Sequence, residues 1–203
     1  MFITFEGVDG CGKSTQIRML ADSLREKGVD FIMLREPGST AIGEQIREVL
    51  LSPENSKMSP LAEAHLYAAA RIQLLDEVIA PALKAGKLVI CDRYIDSSIA
   101  YQGFGRGLGA DEVLKINSYA RENFMPDLTL FLDIKPEDTV GRVAGRGSAD
   151  RLELEGMDFK DRVYSGFMYC VENFKGRVFD IDASGTREET AAKISGLVFG
   201  KLK

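Results

Sequence analysis

The residues with the clearest chemical potential lie in the stretch FEGVDGCGKST, residues 5–15. Gly7, Gly12, Lys13 and Ser14 have the spacing of a phosphate-binding loop, where glycines turn backbone N–H groups inward and the lysine reaches the β and γ phosphates. The loop stands between a strand-like and a helix-like run, and a helix N-terminus adds positive potential. The predicted triphosphate-binding residues are Gly7, Val8, Asp9, Gly10, Cys11, Gly12, Lys13, Ser14 and Thr15. Ser14 is a candidate Mg²⁺ ligand, but the loop does not define the reaction.

A second candidate group is the Asp92-Arg93 pair at the end of the apolar run KLVICD. Ligands of open α/β sheets bind at the carboxyl ends of the strands, so both side chains are expected to face the phosphate loop. Asp92 is a candidate Mg²⁺ ligand, directly or through water. Arg93 is a candidate bidentate clamp for a second phosphate. A surface ion pair is the alternative interpretation.

A third group is the pair Tyr67 and Arg71 in the helical stretch EAHLYAAARIQLL. Residues four apart lie on one face of a helix, so a ring and a guanidinium there can stack on a base and hydrogen-bond its edge. Taken alone, the pattern is more typical of core packing by Tyr67 and of an ordinary helix-surface charge at Arg71.

The elements that must position these groups alternate along the chain. Five apolar runs of strand length occur at residues 2–6, 31–36, 87–92, 128–134 and 177–183. Helical patterns cover residues 13–27, 40–51, 58–84, 110–123, 136–144, 159–174 and 187–201. Near-continuous apolar strands are typical of a parallel sheet covered on both faces. The prediction is an α/β three-layer fold with about five parallel strands flanked by helices.

Composition limits the classes of partner and location. The 203 residues carry a net charge of -5, which argues against a nucleic-acid polymer as partner, because binding a phosphate backbone needs a clustered positive excess. Three scattered cysteines fit reduced thiols in a cytosolic protein. No leader pattern or span of roughly 20 apolar residues occurs, so we expect a cytoplasmic protein without a membrane anchor. We expect a single domain, residues 1–203, interrupted by a Gly- and Arg-rich loop at 141–156.

The motifs FEGVDGCGKST, REPGST, GEQIREVL, YAAARIQL, CDRYIDSSIAYQG, PDLTLFLDI and DRLELE resemble, in order and spacing, those of bacterial thymidylate kinases nearly from end to end. The resemblance implies a P-loop nucleoside monophosphate kinase fold and the conversion of dTMP to dTDP by direct in-line transfer from ATP with Mg²⁺. It also implies a homodimer packed through helices, to which the helix at 58–84 can contribute.

On the base side of the acceptor, the resemblance implies that Tyr67 stacks on thymine and that Arg71 hydrogen-bonds its edge. Ser98 and Gln102 complete the contacts around the base, and Tyr101 packs against the deoxyribose.

On the phosphate and sugar side, the resemblance implies that Arg47 and Arg93 hold the acceptor phosphate, with Glu36 and Pro37 beside them. Asp9 accepts a hydrogen bond from the 3′-hydroxyl group of the deoxyribose.

The resemblance also bears on the source of the catalytic arginine. One type of thymidylate kinase carries an arginine at the loop position that Gly10 occupies here, and a second, bacterial type supplies it from a lid. An arginine directed at a transferring phosphoryl group is worth roughly 10³ to 10⁵ in rate. We therefore expect residues 141–156 to be a mobile lid, with Arg146 and Arg151 at the reaction centre and Arg142 near ATP. The expected catalytic residues are Asp9, Lys13, Arg93, Arg146 and Arg151.

Two other functions remain open from the residues alone. A deoxynucleoside or another nucleotide can replace dTMP as acceptor, although a bare nucleoside leaves Arg47 and Arg93 without a phosphate to bind. A GTP-dependent switch is the other alternative, but the chain has no Asn-Lys-x-Asp string of the kind that such proteins use to bind guanine.

Overall fold

Five parallel strands form one sheet in the computed structural model of the chain, which describes residues 1–139 and 150–202. The strands are β1 (Phe2–Glu6), β2 (Phe31–Arg35), β3 (Leu88–Asp92), β4 (Leu128–Asp133) and β5 (Val178–Asp182). Their order in the sheet is β2-β3-β1-β4-β5. The predicted α/β fold with a five-stranded parallel sheet is therefore confirmed.

Helices cover both faces of this sheet. The described α-helices are α1 (Lys13–Glu26), α2 (Ala41–Leu51), α3 (Pro60–Leu74), α4 (Ala80–Lys84), α5 (Ile95–Ser98), α6 (Ala110–Ile116), α7 (Ser118–Asn123), α8 (Met157–Asn173) and α9 (Arg187–Lys201). Short 3₁₀-helices occupy Pro53–Asn55 and Pro136–Thr139. Among the described residues, no helix is both long and apolar enough to cross a bilayer.

The core consists of two main apolar clusters because neighbouring residues of a strand point to opposite faces of a sheet. Ile3 of β1 packs in the cluster that holds Leu24 of α1 and Val198 of α9. Its neighbour Phe2 packs in a second cluster with Leu74 of α3. The central strand β1 is buried along its whole length, so the loop that follows it starts from a rigid base.

Two helical predictions differ from the structure in detail. The stretch predicted at 58–84 is helical from Pro60 to Lys84 but contains a π-helical segment, Leu75–Ile79, which ends two residues before Pro81. Proline has no N–H and its ring clashes with the carbonyl four residues earlier, which a wider turn relieves. The helix predicted at 110–123 is interrupted at Asn117, where the side chain makes a tertiary contact described below. Of the stretch predicted at 136–144, the described part is the short 3₁₀-helix.

The segment after β3 was not predicted to be helical. It forms α5 and continues as a π-helix, Ile99–Gly105. Nearly every residue of this segment is buried, so it lacks the apolar and polar periodicity by which an amphipathic helix is identified. The segment carries three of the predicted acceptor residues, Ser98 in α5 and Tyr101 and Gln102 in the π-helix.

Candidate active site

The phosphate loop connects β1 to α1, as predicted. Gly12 caps α1 in a left-handed conformation, with φ of 101°, which a side chain rarely adopts. At Gly7 a Cβ atom would lie 2.9 Å from the carbonyl oxygen of Leu132, so the tight packing of the loop on β4 requires glycine. The Lys13 ammonium donates to the carbonyl oxygens of Gly7 and Val8, at 2.9 and 3.1 Å. The loop thus holds its lysine inward, on a cavity that Ser14 and Thr15 also line.

Asp92 ends β3 on the same cavity as Ser14. Its Oδ1 atom is buried and accepts no hydrogen bond from the described residues. A buried carboxylate oxygen without a protein partner is costly unless a cation or water satisfies it. Asp92 and Ser14 supply the hard oxygen ligands that Mg²⁺ prefers, and therefore fit the predicted metal site.

Arg93 follows Asp92 and lies between the phosphate loop and the segment after β3. Its guanidinium contacts the carboxylate of Asp9 at 2.5 Å and donates to the carbonyl oxygen of Gly7 at 3.0 Å. The Tyr101 hydroxyl accepts from Arg93 at 3.1 Å and donates to Asp9 at 2.9 Å. These contacts form a closed triangle of Asp9, Arg93 and Tyr101.

The charges of this triangle control the pKa of Asp9. Burial alone raises the pKa of this carboxyl group, but the positive charges of Arg93 and Lys13 and the hydrogen bond from Tyr101 outweigh burial. The net result is a pKa of about 2. Asp9 is therefore ionised at neutral pH and can accept a hydrogen bond from a hydroxyl group.

A cavity of about 170 Å³ opens beside the triangle, and the Arg71 side chain lines this cavity. The Arg71 side chain is 2% exposed and pairs with Glu36 at 2.6 Å. It also donates to the Ser98 hydroxyl at 3.1 Å and to the side-chain oxygen of Asn117. Burial raises the pKa of Glu36 above its ordinary value, although Arg71 opposes this shift. Arg71 is thus fixed in the cavity from three directions.

The remaining predicted acceptor residues line the same cavity. Tyr67 lies on α3, half-buried, one turn before Arg71, and Arg47 of α2 donates to the carbonyl oxygen of Pro37 at 2.9 Å. Burial, and then the neighbouring charge of Arg35, lower the pKa of Arg47. Gln102 is buried and donates to Glu63 at 2.8 Å.

This base-side cavity adjoins the cavity of the phosphate loop. Asp9, Glu36, Arg47 and Arg93 line both of them. Two guanidinium groups therefore stand where a ligand in one cavity would meet a phosphate in the other. Every predicted acceptor residue lines the base-side cavity. The predicted loop residues that line the cavity of the phosphate loop are Asp9, Gly10, Gly12, Lys13, Ser14 and Thr15.

The predicted lid lies partly outside the described residues, which include neither Arg142 nor Arg146. Arg151 is described, and it is 6% exposed. It pairs with Glu63 at 2.7 Å and donates to the carbonyl oxygen of Leu50 at 3.0 Å. It is not among the described residues that line the cavity around Lys13. The structure therefore places Arg151 in a buried contact with α3, and its predicted catalytic role remains a prediction.

Asn117 and Glu63 are among the buried residues that touch the predicted site and were not found from the sequence. Asn117 fixes Arg71, and the only sequence signal was its position inside an otherwise helical stretch. Glu63 binds Gln102, Arg106 and Arg151. A single acidic residue in a helical stretch usually indicates an exposed charge, so nothing in the sequence predicted that Glu63 is buried against these three side chains.

Comparison with known proteins decides between the functions left open. The thymidylate kinase family model matches residues 5–194. The chain belongs to the thymidylate kinase family. A thymidylate kinase of Anoxybacillus flavithermus is 50% identical over 186 residues, which cover 91% of this chain and 89% of that protein. An Exiguobacterium thymidylate kinase is 47% identical over 188 residues, with 93% and 89% covered. A Geobacillus thymidylate kinase is 45% identical over 204 residues, with 100% and 97% covered.

Membership of the thymidylate kinase family confirms the family predicted from the motifs, and with it the predicted kinase activity on dTMP. Family membership also implies the use of ATP. The individual roles of the site residues, the metal ion and the assembly state are separate questions.

Proposed function

We propose that the protein transfers the γ-phosphoryl group of ATP to dTMP by in-line attack of an acceptor phosphate oxygen, giving ADP and dTDP. The observation that carries this proposal is the junction of the two cavities at Arg47 and Arg93. A nucleoside monophosphate bound over Arg71 presents its phosphate at that junction, facing the phosphate loop. Positioning and charge neutralisation supply most of the catalysis in such a reaction.

Lys13 and Arg93 neutralise opposite partners of the transfer in this proposal. Lys13 binds the β and γ phosphates of ATP, exchanging its loop carbonyl contacts for phosphate oxygens. Arg93 and Arg47 bind the acceptor phosphate, for which a planar guanidinium suits two oxygens at once. The positive charge at the junction thereby offsets the repulsion between two anionic substrates.

Mg²⁺ is the proposed metal, held by Ser14 and by Asp92, whose unpartnered buried oxygen supports this assignment. When bound with ATP at Ser14 and Asp92, the ion would supply positive charge that offsets the negative charge of the triphosphate.

Recognition of the acceptor base is assigned to Arg71, with Tyr67 stacking on the ring. Ser98 and Gln102 complete the polar contacts. This assignment is supported by the orientation of the Arg71 guanidinium, which three neighbours fix within the cavity. A fixed donor discriminates better among bases than a mobile one, because its conformational entropy is already lost on folding and is not lost again on binding.

Recognition of the sugar is assigned to Asp9 and Tyr101. The ionised Asp9 carboxylate accepts a hydrogen bond from the 3′-hydroxyl group, and the Tyr101 ring packs against the deoxyribose. Their mutual hydrogen bond of 2.9 Å supports this joint role.

The arginine that neutralises the transferring phosphoryl group is assigned to Arg146, with Arg142 near ATP. Arg151 remains the second predicted participant. This assignment rests on Gly10, which gives the phosphate loop no guanidinium at that position.

A homodimer is the proposed assembly. Leu61 and Ile72 on α3 are large apolar side chains that are 48% and 39% exposed, and Val49 on α2 is 46% exposed. A second copy of the chain would cover these residues. Light scattering coupled to size-exclusion chromatography is expected to give twice the mass of the chain.

The proposed function is tested by measuring ADP release with ATP, Mg²⁺ and a panel of acceptors: dTMP, dUMP, dCMP, dGMP and thymidine. We expect the highest kcat/KM with dTMP and no turnover of thymidine. Preferred turnover of thymidine or of a purine monophosphate would overturn the acceptor assignment. Thermal stabilisation by GTP alone, without stabilisation by dTMP or ATP, would instead support a GTP-dependent switch.

A further inference from the structure

Glu6 is a fully buried acidic residue at the end of the central strand β1, directly before the phosphate loop. Both of its carboxylate oxygens are engaged. Oε1 accepts from the backbone N–H of Tyr94 at 2.7 Å, and Oε2 accepts from the hydroxyl of Ser97 at 2.5 Å. Both donors belong to the segment that starts at Arg93, so Glu6 ties β1 to the residues around the acceptor-phosphate arginine.

The backbone of Arg93 requires such a support. Its φ of 72° lies in the left-handed region, which is strained for a residue with a side chain. The N–H of Arg93 donates to the carbonyl oxygen of Phe5 at 2.9 Å, and the next N–H, of Tyr94, donates to Glu6. Two consecutive N–H groups are therefore held by two consecutive residues of β1, which fixes the turn in which Arg93 lies.

The side chain of Arg93 is supported through the same carboxylate. One guanidinium nitrogen donates to the Ser97 hydroxyl at 3.1 Å, and Ser97 in turn donates to Glu6. The Ser97 hydroxyl accepts from the Arg93 cation and donates to the Glu6 carboxylate, so both charges orient its O–H bond toward Glu6. Glu6 thereby acts on both the backbone and the side chain of Arg93.

The charge of Glu6 is linked to this arrangement. Burial and the negative charge of Asp96 raise the pKa of Glu6 to about 7, while the hydrogen bonds from Ser97 and Tyr94 and the charge of Arg93 oppose this rise. The contacts that favour the carboxylate form are the same contacts that hold Arg93.

We propose that Glu6 is a positioning residue that fixes the turn and the guanidinium of Arg93 for the acceptor phosphate. It does not touch a substrate. The inference rests on the proposed binding of the acceptor phosphate by Arg93. Loss of Glu6 should therefore weaken the binding of a phosphorylated acceptor more than the binding of the same nucleoside without its phosphate.

The test compares Glu6→Gln with the unmodified protein by calorimetric binding of dTMP, thymidine and ATP, together with kcat and KM. Glutamine keeps the size of the side chain but cannot accept from Tyr94 and Ser97 through two carboxylate oxygens. We expect dTMP affinity to fall by about 10- to 150-fold, the range for loss of a charge-assisted hydrogen bond, because Arg93 is no longer held toward the acceptor phosphate. Thymidine affinity and KM for ATP should each change less than about threefold.

Asp96→Asn is the matched control. Asp96 is also fully buried and lies on the same segment, but it pairs with Arg177 and makes no hydrogen bond to Arg93 among the described contacts. We expect this variant to be less stable and to keep the ratio of dTMP affinity to thymidine affinity. An equal change of that ratio in both variants would overturn the inference.

Ser97→Ala provides a test that does not depend on the folding of Glu6→Gln. It removes the link to the Arg93 side chain but leaves the contact of Glu6 with Tyr94. We expect a selective loss of dTMP affinity that is smaller than in Glu6→Gln. The variant that combines both substitutions should show no selective loss beyond that of Glu6→Gln alone. Unchanged dTMP affinity in both variants would refute the positioning role while leaving the proposed function intact. Failure of the unmodified protein to phosphorylate dTMP would refute the proposed function itself.

Discussion

Arg71 and Glu36, which both line the acceptor cavity, form an ion pair of 2.6 Å. Their side chains are 2% and 4% exposed. A buried pair of this kind contributes little net stability because desolvation offsets the attraction, but the loss of one partner is costly. Here the pair fixes the direction of a guanidinium that also contacts Ser98 and Asn117. The cavity is therefore organised for a polar base edge before a nucleotide binds.

Replacing Arg71 with alanine is expected to impair dTMP use far more than ATP binding. The substitution removes the proposed base-edge donor and leaves the Glu36 carboxylate buried without its cation, at a cost of about 3–5 kcal/mol in unfolding free energy. Calorimetric titration with each nucleotide and urea unfolding measure these effects separately. Arg121→Ala, a substitution of a half-exposed arginine on α7, is the control and should alter neither. Equal losses of dTMP and ATP affinity in Arg71→Ala would contradict the assignment.

Discrimination between dTMP and dUMP should be modest. The two acceptors differ by one methyl group, and an apolar contact with such a group is worth about 1–3 kcal/mol. We therefore expect kcat/KM for dUMP to be about 10- to 200-fold lower than for dTMP. ADP-release assays with each acceptor measured separately give the two kcat/KM values and hence this ratio. Complete rejection of dUMP would require a steric or polar device beyond the proposed base contacts.

The contribution of Asp9 to stability should disappear in acid. Its pKa in the folded protein, about 2, is below its ordinary value near 3.8. A group with a lowered folded pKa stabilises the fold above its unfolded pKa and loses that contribution as pH falls toward the folded pKa. The unfolding free energy of the unmodified protein should therefore exceed that of Asp9→Asn near neutral pH, and the difference should shrink between about pH 4 and pH 2.

Tyr101→Phe serves as the control for this titration. It removes one hydrogen bond to Asp9 while keeping the charges of Arg93 and Lys13, so the pKa of Asp9 in the folded protein should rise. The loss of stability should then be smaller and be complete at a higher pH than in the unmodified protein. A stability difference between the unmodified protein and Asp9→Asn that stays constant from pH 6 to pH 2 would exclude the lowered pKa.

Arg146 and Arg151 of the predicted lid are expected to behave differently on substitution. Arg146→Ala should lower kcat by about 10³-fold or more with little change in dTMP affinity, because an arginine on the transferring phosphoryl group acts in the transition state. Arg151→Ala should lower kcat and, in addition, lower the unfolding free energy by about 1–3 kcal/mol, because it breaks buried hydrogen bonds to Glu63 and Leu50.

Steady-state kinetics and urea unfolding of both variants separate the two roles. A large fall in kcat for Arg151→Ala at unchanged stability would support the catalytic role predicted from the sequence. Unchanged turnover in Arg146→Ala would place the catalytic arginine elsewhere.

Local patterns in the sequence were sufficient for the elements of the sheet and for the phosphate loop. Apolar runs predicted all five strands to within one residue at each end. The signal is continuous for β1, β3 and β4 because these strands are buried on both faces. The helix at Met157–Asn173 was found because its apolar residues recur with helical spacing. The segment Ile95–Gly105 was missed because burial on all sides removes that spacing.

The sequence by itself determined the fold class, the family and the identity of most residues around the two cavities, because glycine spacing, apolar periodicity and ordered motifs are local properties of the chain. Only the tertiary structure decided which partners those residues have. Asn117 and Glu36 meet Arg71 across 46 and 35 positions of the chain, and Glu6 meets Ser97 across 91. Such contacts depend on how the parallel strands and their helices pack. The spacing of residues along the chain does not predict them.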